Sequence, residues 1–312
     1  MKRSLELAII IGIVAGITTP IESRANENVD KIVATNEDDE IKNSTQQTFP
    51  EQGLWTANIK RIGIEYMDHS VTNKEDANYP DTYNADEESN IGGVFDGNVT
   101  FEKESMVWIN GLYAIYSKSK TTEDGETSEN EKDDEILLFT DYTKKVWHLD
   151  EGSIGPFAYF GYETEFTDFD LDGSSYRTQI LRGKTGIKFY DGQYFKQMYI
   201  AVVEEDDMTY DKDNMKTGAE VGYEFNYPLN PQTSFVSEGY YRHFFSYSQY
   251  EATDFEYKLS MNNRIETKLV GDLYLAPFYN YELAKTRGAS KSRAQSTFGL
   301  SLNYNKSFEI FK

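Results

Sequence analysis

The chain of 312 residues contains three histidines, His69, His148 and His243, and no cysteine. Catalysis by a hydroxyl nucleophile needs a base on the same face of its element. In an extended segment that means a spacing of two, because successive side chains point to opposite faces. His69 is followed at once by Ser70, and His243 stands three before Ser246. Both pairs are therefore expected to point apart, and no esterase or other enzyme is expected from them. Without cysteine there is no thiolate zinc site, no Cys nucleophile and no disulfide framework.

A second arrangement could hold a metal. Asp168, Asp170 and Asp172 alternate and are followed by Gly173, as in the first half of a calcium loop. The twelfth position, which should be Glu, is Gln179. A weak extracellular calcium site is one expectation, and a solvated acidic turn is the other.

A third set consists of charges on the polar parity of otherwise apolar segments. Glu163 and Glu165 share one segment; Arg182, Lys184 and Lys188 share the next. Glu220 and Glu224 follow, then Arg242, then Lys258, Arg264 and Glu266. Buried charges are normally paired. These eleven would either lock an interior shut or line a narrow polar channel for a small polar solute or ion.

The elements that position them read as strands. Phe298, Leu300, Leu302, Tyr304, Phe308 and Ile310 share one parity, against polar residues on the other. The segments 216–227 and 254–269 alternate in the same way. About twelve such strands are expected, near 53–68, 91–102, 106–118, 135–148, 153–167, 177–190, 194–205, 216–227, 233–247, 254–269, 272–285 and 296–311. A change of parity near Arg61 suggests a bulge. Short links alternate with long polar ones at 69–90, 119–134, 168–176, 206–215, 248–253 and 286–295. Tight turns at one end, long loops at the other and an even strand count predict an all-β, up-and-down transmembrane barrel. Its tight turns would be periplasmic and its acidic loops external. Trp55, Trp108 and Trp147 fall at the tight-turn ends, where a periplasmic aromatic girdle belongs.

Charge and targeting fit this plan. The formal net charge is −22, with 24 Tyr and 19 Phe and a mean hydropathy of −0.65. Such acidity argues against nucleic acid as a partner. The segments 69–90, 118–135, 168–172 and 204–213 together carry −18, and 26–48 carries −4. The wall is thus expected to be nearly neutral. Lys285, Arg287, Lys291 and Arg293 make a basic patch in the last loop. Lys2 and Arg3, the apolar run 7–17 and Ser23-Arg24-Ala25 form the pattern of a secretory signal peptide over 1–25. Residues 26–48 are expected to be a disordered acidic periplasmic tail, and 49–312 the barrel.

The stretch from Asp96-Gly97-Asn98 to the C-terminus resembles the YdiY-like, salt-induced outer-membrane protein family. The features that carry it are the Gly-Asn start of a hairpin, the segment Arg177 to Asp191, the segment Tyr199 to Asp207 and the Tyr-rich hairpins that follow. The resemblance implies an outer-membrane barrel and supplies no catalytic residue. The expected setting is the outer membrane of a Gram-negative bacterium, among lipid and lipopolysaccharide. The expected roles are a narrow pore or envelope maintenance, without cofactors. A plugged barrel whose acidic loops bind divalent cations or a partner is the first alternative. A secreted soluble all-β binding protein is the second.

Overall fold

The computed structural model describes residues 53–72, 79, 89–123, 126–171, 174–210 and 213–311. The segments expected to be signal peptide and acidic tail lie outside the described residues. Fifteen strands occur among the described residues: β1 (Leu54–Val71), β2 (Ser89–Lys103), β3 (Met106–Glu123), β4 (Glu126–Lys144), β5 (Trp147–Leu149), β6 (Gly152–Thr164), β7 (Phe169–Leu171), β8 (Ser174–Tyr176), β9 (Ile180–Tyr190), β10 (Phe195–Asp207), β11 (Asn214–Asn230), β12 (Thr233–Tyr247), β13 (Phe255–Val270), β14 (Leu273–Thr286) and β15 (Arg293–Phe311).

Each wall strand pairs antiparallel with its sequence neighbour, and β1 pairs with β15 to close the ring. The fold is a closed, twelve-stranded up-and-down barrel of the transmembrane type. The short β5 prolongs the line of β4, since both lie against β6. The line breaks at Lys145 and Val146. There Lys145 N donates to Ser105 O (2.8 Å) and Val146 N donates to Ile154 O (3.0 Å). The break brings the Lys144 carbonyl so close to Gly155 that a Cβ at that position would overlap it. β7 and β8 form a separate small hairpin between β6 and β9.

Two expectations about connections change. The segment 119–134 is not a loop: β3 and β4 stay paired out to Glu123 and Glu126. The hairpin extends well past the rest of the wall. Its residues are polar on both parities, so no apolar alternation announces it. The segment 168–176 likewise contains β7 and β8.

Apart from the bulges, side chains alternate between inside and outside, with the polarity reversed relative to a soluble protein. Ile64 is 67% exposed and Tyr66 54%, while Glu65 between them is 3% exposed. Ile200, Val202, Val221, Phe298, Leu300 and Leu302 continue the apolar outer band. Their partners on the other parity, such as Glu220, Lys184 and Ser301, are buried. At β1 the register slips by one at Lys60, between Ile59 and Arg61. This is the bulge that the parity change near Arg61 implies.

Aromatic rings fill the inside where glycines leave room. Phe139 faces Gly111, Tyr199 faces Gly222 and Phe278 faces Gly299, each directly across a strand pair. In each pair the ring occupies the space that a Cβ on the glycine would need. The rings thus lie against the wall, and glycine makes this possible. Gly222→Val is expected to push Tyr199 off its seat. Because core overpacking costs about 1–3 kcal/mol, the urea midpoint of refolded protein should fall; an unchanged midpoint would contradict this packing.

Candidate functional site

The inside of the barrel is the candidate site. Its central ionic network comes from five adjacent strands, β6 and β9 to β12. Glu220 on β11 is at the centre. Its Oε1 accepts from Lys184 Nζ (2.7 Å) and from the Tyr199 hydroxyl (2.8 Å), and its Oε2 accepts from Arg242 Nε (2.6 Å). Arg242 also reaches Glu205 at 3.3 Å, and Arg182 bridges Glu205 (2.9 Å) and Glu163 (3.0 Å). Lys216 joins the network from the loop end, 3.5 Å from Glu205, 3.5 Å from Asp207 and 3.1 Å from Asp254. Charges thus alternate in sign from Lys184 to Glu163, so each desolvated ion has an opposite neighbour.

Several other inner charges are paired as well. Lys188 bonds Asp141 with its ammonium over the Phe157 ring, 4.5 Å from the centroid. Arg264 lies between Glu238 (3.1 Å) and Glu266 (2.7 Å). Lys258 pairs with Glu282 at 3.1 Å, Arg61 with Glu65 at 2.9 Å and Lys145 with Glu102 at 2.6 Å. Gln197 donates to Glu224. Glu165 lies just past the end of β6. It accepts from the Thr178 backbone (2.7 Å) and hydroxyl (2.9 Å), so it tethers the entry to β9.

Several partners were not visible in the sequence. Glu205 belongs to a run of four acids, Glu204 to Asp207, and such a run shows no alternation. The sequence places it in the acidic segment 204–213; the strand turns Glu205 inward. Beyond the apolar band on the outer face of β10, Glu204 and Asp206 point outward. Burial pushes both carboxyls above the ordinary range, and at Asp206 the neighbouring Asp213 and Asp207 add to the effect.

Beside the ionic network lies an apolar cluster. Val107, Ile109, Leu137, Phe139, Phe157, Tyr159, Tyr199 and Ala201 are buried together on the inner face. Many inner side chains are almost inaccessible, among them Lys184 at 1% and Val203 at 0%. Water reaches an inner side chain chiefly around Glu163, Lys258 and Glu282, which are 23–29% exposed.

Each histidine has its own setting. His69 Nδ1 lies 2.8 Å from the buried Thr297 hydroxyl. His148 Nδ1 lies 3.2 Å from the Ser153 hydroxyl, an exposed cross-strand contact beside the tight turn. His243 requires a correction. The register slips between Phe244 and Ser246, so Ser246 faces Thr217 and His243 faces Ala219. Residues 217 and 219 share the outer parity, so the bulge puts Ser246 on the same side as His243. No hydrogen bond joins them, and His243 Nδ1 is buried without a partner.

The remaining sequence candidates are placed as follows. The Asp168 carboxylate accepts from Arg177 Nε at 2.6 Å. Asp170 lies in β7 in register with Ser175. Asp172 lies outside the described residues. Among the described residues no three His, Asp or Glu side chains stand close enough to hold a metal ion. Trp55 packs on Phe101 (4.8 Å) and Trp108 (6.3 Å) at the tight-turn end, and Trp147 is exposed there. The basic patch of the last loop is divided. Lys285 pairs with Glu256, Arg287 stacks on Tyr247 and Tyr250, and Arg293 is buried over Tyr79.

No family model matches the chain, and no curated protein sequence matches it. Solved structures of similar shape include the COG4313 outer membrane channel from Pseudomonas putida F1. It is 13% identical, with a TM-score of 0.43, and the match covers 86% of this chain and 100% of that one. The translocator domain of the autotransporter NalP from Neisseria meningitidis is 9% identical, with a TM-score of 0.39, covering 90% of this chain and 93% of that one. The transport unit of the autotransporter AIDA-I from Escherichia coli is 10% identical, with a TM-score of 0.34, covering 92% and 99%. Identities this low leave the function to be read from the chain's own wall and lumen.

Proposed function

We propose that this chain is an outer-membrane barrel of the Gram-negative envelope whose lumen is closed by its own side chains, and that it acts through its two ends rather than as an open pore. One observation carries this reading: many charged inner residues are buried in ion pairs while large apolar residues face outward. A soluble β protein hides its apolar face, and an apolar belt as extensive as this one far exceeds the patches that soluble monomers expose. Lipid is the solvent such a belt fits.

The role is non-catalytic and belongs to envelope maintenance. The acidic loop segments would meet lipopolysaccharide at the cell surface by sharing divalent cations with it. The resemblance of residues 96–312 to the YdiY-like salt-induced family supports the outer-membrane barrel and leaves the role to the chain's own residues. A narrow pore is the second reading, favoured by the water-accessible Glu163, Lys258 and Glu282.

The membrane assignment is tested by extraction and gel migration. The protein should leave membranes only with detergent, and unboiled samples should migrate apart from boiled ones. Release by urea or alkaline carbonate alone would contradict it.

A further inference from the structure

The outer wall contains a depression that the barrel itself does not explain. It measures about 700 Å³ and crosses β1, β2, β3, β4 and β6 along the hydrogen-bonding direction. Wall strands tilt by roughly 35–45° in such barrels, so the groove runs obliquely across the membrane-facing surface. Gly97 makes its floor; Ile59, Val99, Leu112, Leu138 and Phe160 make its sides. All of these lie on the outward parity.

A polar chain crosses this apolar surface. Trp108 Nε1 donates to the Thr140 hydroxyl (2.8 Å), which donates to Asn110 Oδ1 (2.9 Å). Both oxygens are thereby used. The Asn110 amide nitrogen donates to nothing among the described residues, and Asn110 is one of the residues that line the groove. An amide left unpaired in hydrocarbon costs several kcal/mol. Asn110 stands two residues from Trp108, whose indole marks the membrane interface on the tight-turn side. Ester carbonyls of membrane lipids lie at that depth and are acceptors without donors.

We propose that this groove is a binding site for a glycerophospholipid of the periplasmic leaflet. Its ester carbonyl accepts from the Asn110 amide, and its acyl chain lies over Gly97. The site rests on the membrane reading above. It differs from general lipid contact in having a floor without a side chain and a spare donor at interface depth.

Native mass spectrometry of the detergent-solubilised protein mixed with phosphatidylethanolamine tests it. The unmodified chain should keep one phospholipid at activation energies that strip the rest. A hydrogen bond contributes up to about 1.5 kcal/mol, so Asn110→Ala should lower the retained fraction by as much as about tenfold. Gly97→Leu should fill the floor and do the same. Its Cβ would lie 3.1 Å from Phe95 and 3.2 Å from the Asn58 carbonyl, so Asn110→Ala keeps the test open if that variant misfolds. Gly93→Leu, on the same outward parity with nothing within 4 Å of its Cβ, should leave retention unchanged. Retention equal in the unmodified chain and Asn110→Ala, or no retained phospholipid at all, overturns the site. A protein that stays in solution without detergent instead overturns the membrane reading; loss of the groove alone leaves detergent dependence intact.

Discussion

Glu220→Ala should be the most destabilising single substitution in the barrel. The Glu220 side chain is fully buried and receives Lys184, Arg242 and Tyr199. Its removal leaves an ammonium with no other ion pair and a hydroxyl with its acceptor gone. Of its ion pairs, Arg242 keeps the longer one with Glu205. Breaking a buried pair from one side costs about 3–5 kcal/mol, because the remaining charge stays desolvated. Reversible urea unfolding in lipid should show this loss. Glu220→Leu combined with Lys184→Met should recover a good part of it, since replacing both ions of a buried pair with apolar groups is often neutral or stabilising. A change under about 1 kcal/mol for Glu220→Ala, the net range of one ordinary hydrogen bond, would mean that the inner charges are hydrated and the lumen is open.

The second large effect is on conduction. Arg242 and Tyr199 meet at Glu220, between the ionic network and the apolar cluster. Twelve strands enclose an interior between the side-chain-filled small barrels and the aqueous porins, so the two side chains fill a substantial share of the cross-section. Truncating both, as Arg242→Ala with Tyr199→Ala, should convert a silent barrel into a conducting one. The loss of Arg242 also tips the lumen towards its carboxylates, so the current should be cation-selective. A folded, heat-modifiable double variant that stays silent would show that closure does not depend on this junction.

The strands were readable because lipid on one side and ions on the other impose a period of two. The bulge at Lys60 was readable too, since two parities meet at Arg61. The slip at Phe245 was not. Phe244 and Phe245 are both aromatic, so neither residue shows which one is extra, and unbroken alternation would put His243 and Ser246 on opposite faces. Glu205 was hidden by its acidic neighbours, and the β3–β4 extension by its uniform polarity. The glycines within strands were visible, but not what they do. That Gly222 seats Tyr199 and that Gly97 floors a groove depends on which residue lies across the sheet, and register is set in space. The ion pairs were legible as a set of inward charges and not as partners, for the same reason.

The most direct test of the filled lumen is the conductance of the unmodified protein in planar lipid bilayers. A filled lumen requires silence: inserted, heat-modifiable barrels with no steady current at moderate voltage. Stepwise, ohmic channels of uniform size from that same material would contradict it and establish the narrow pore instead.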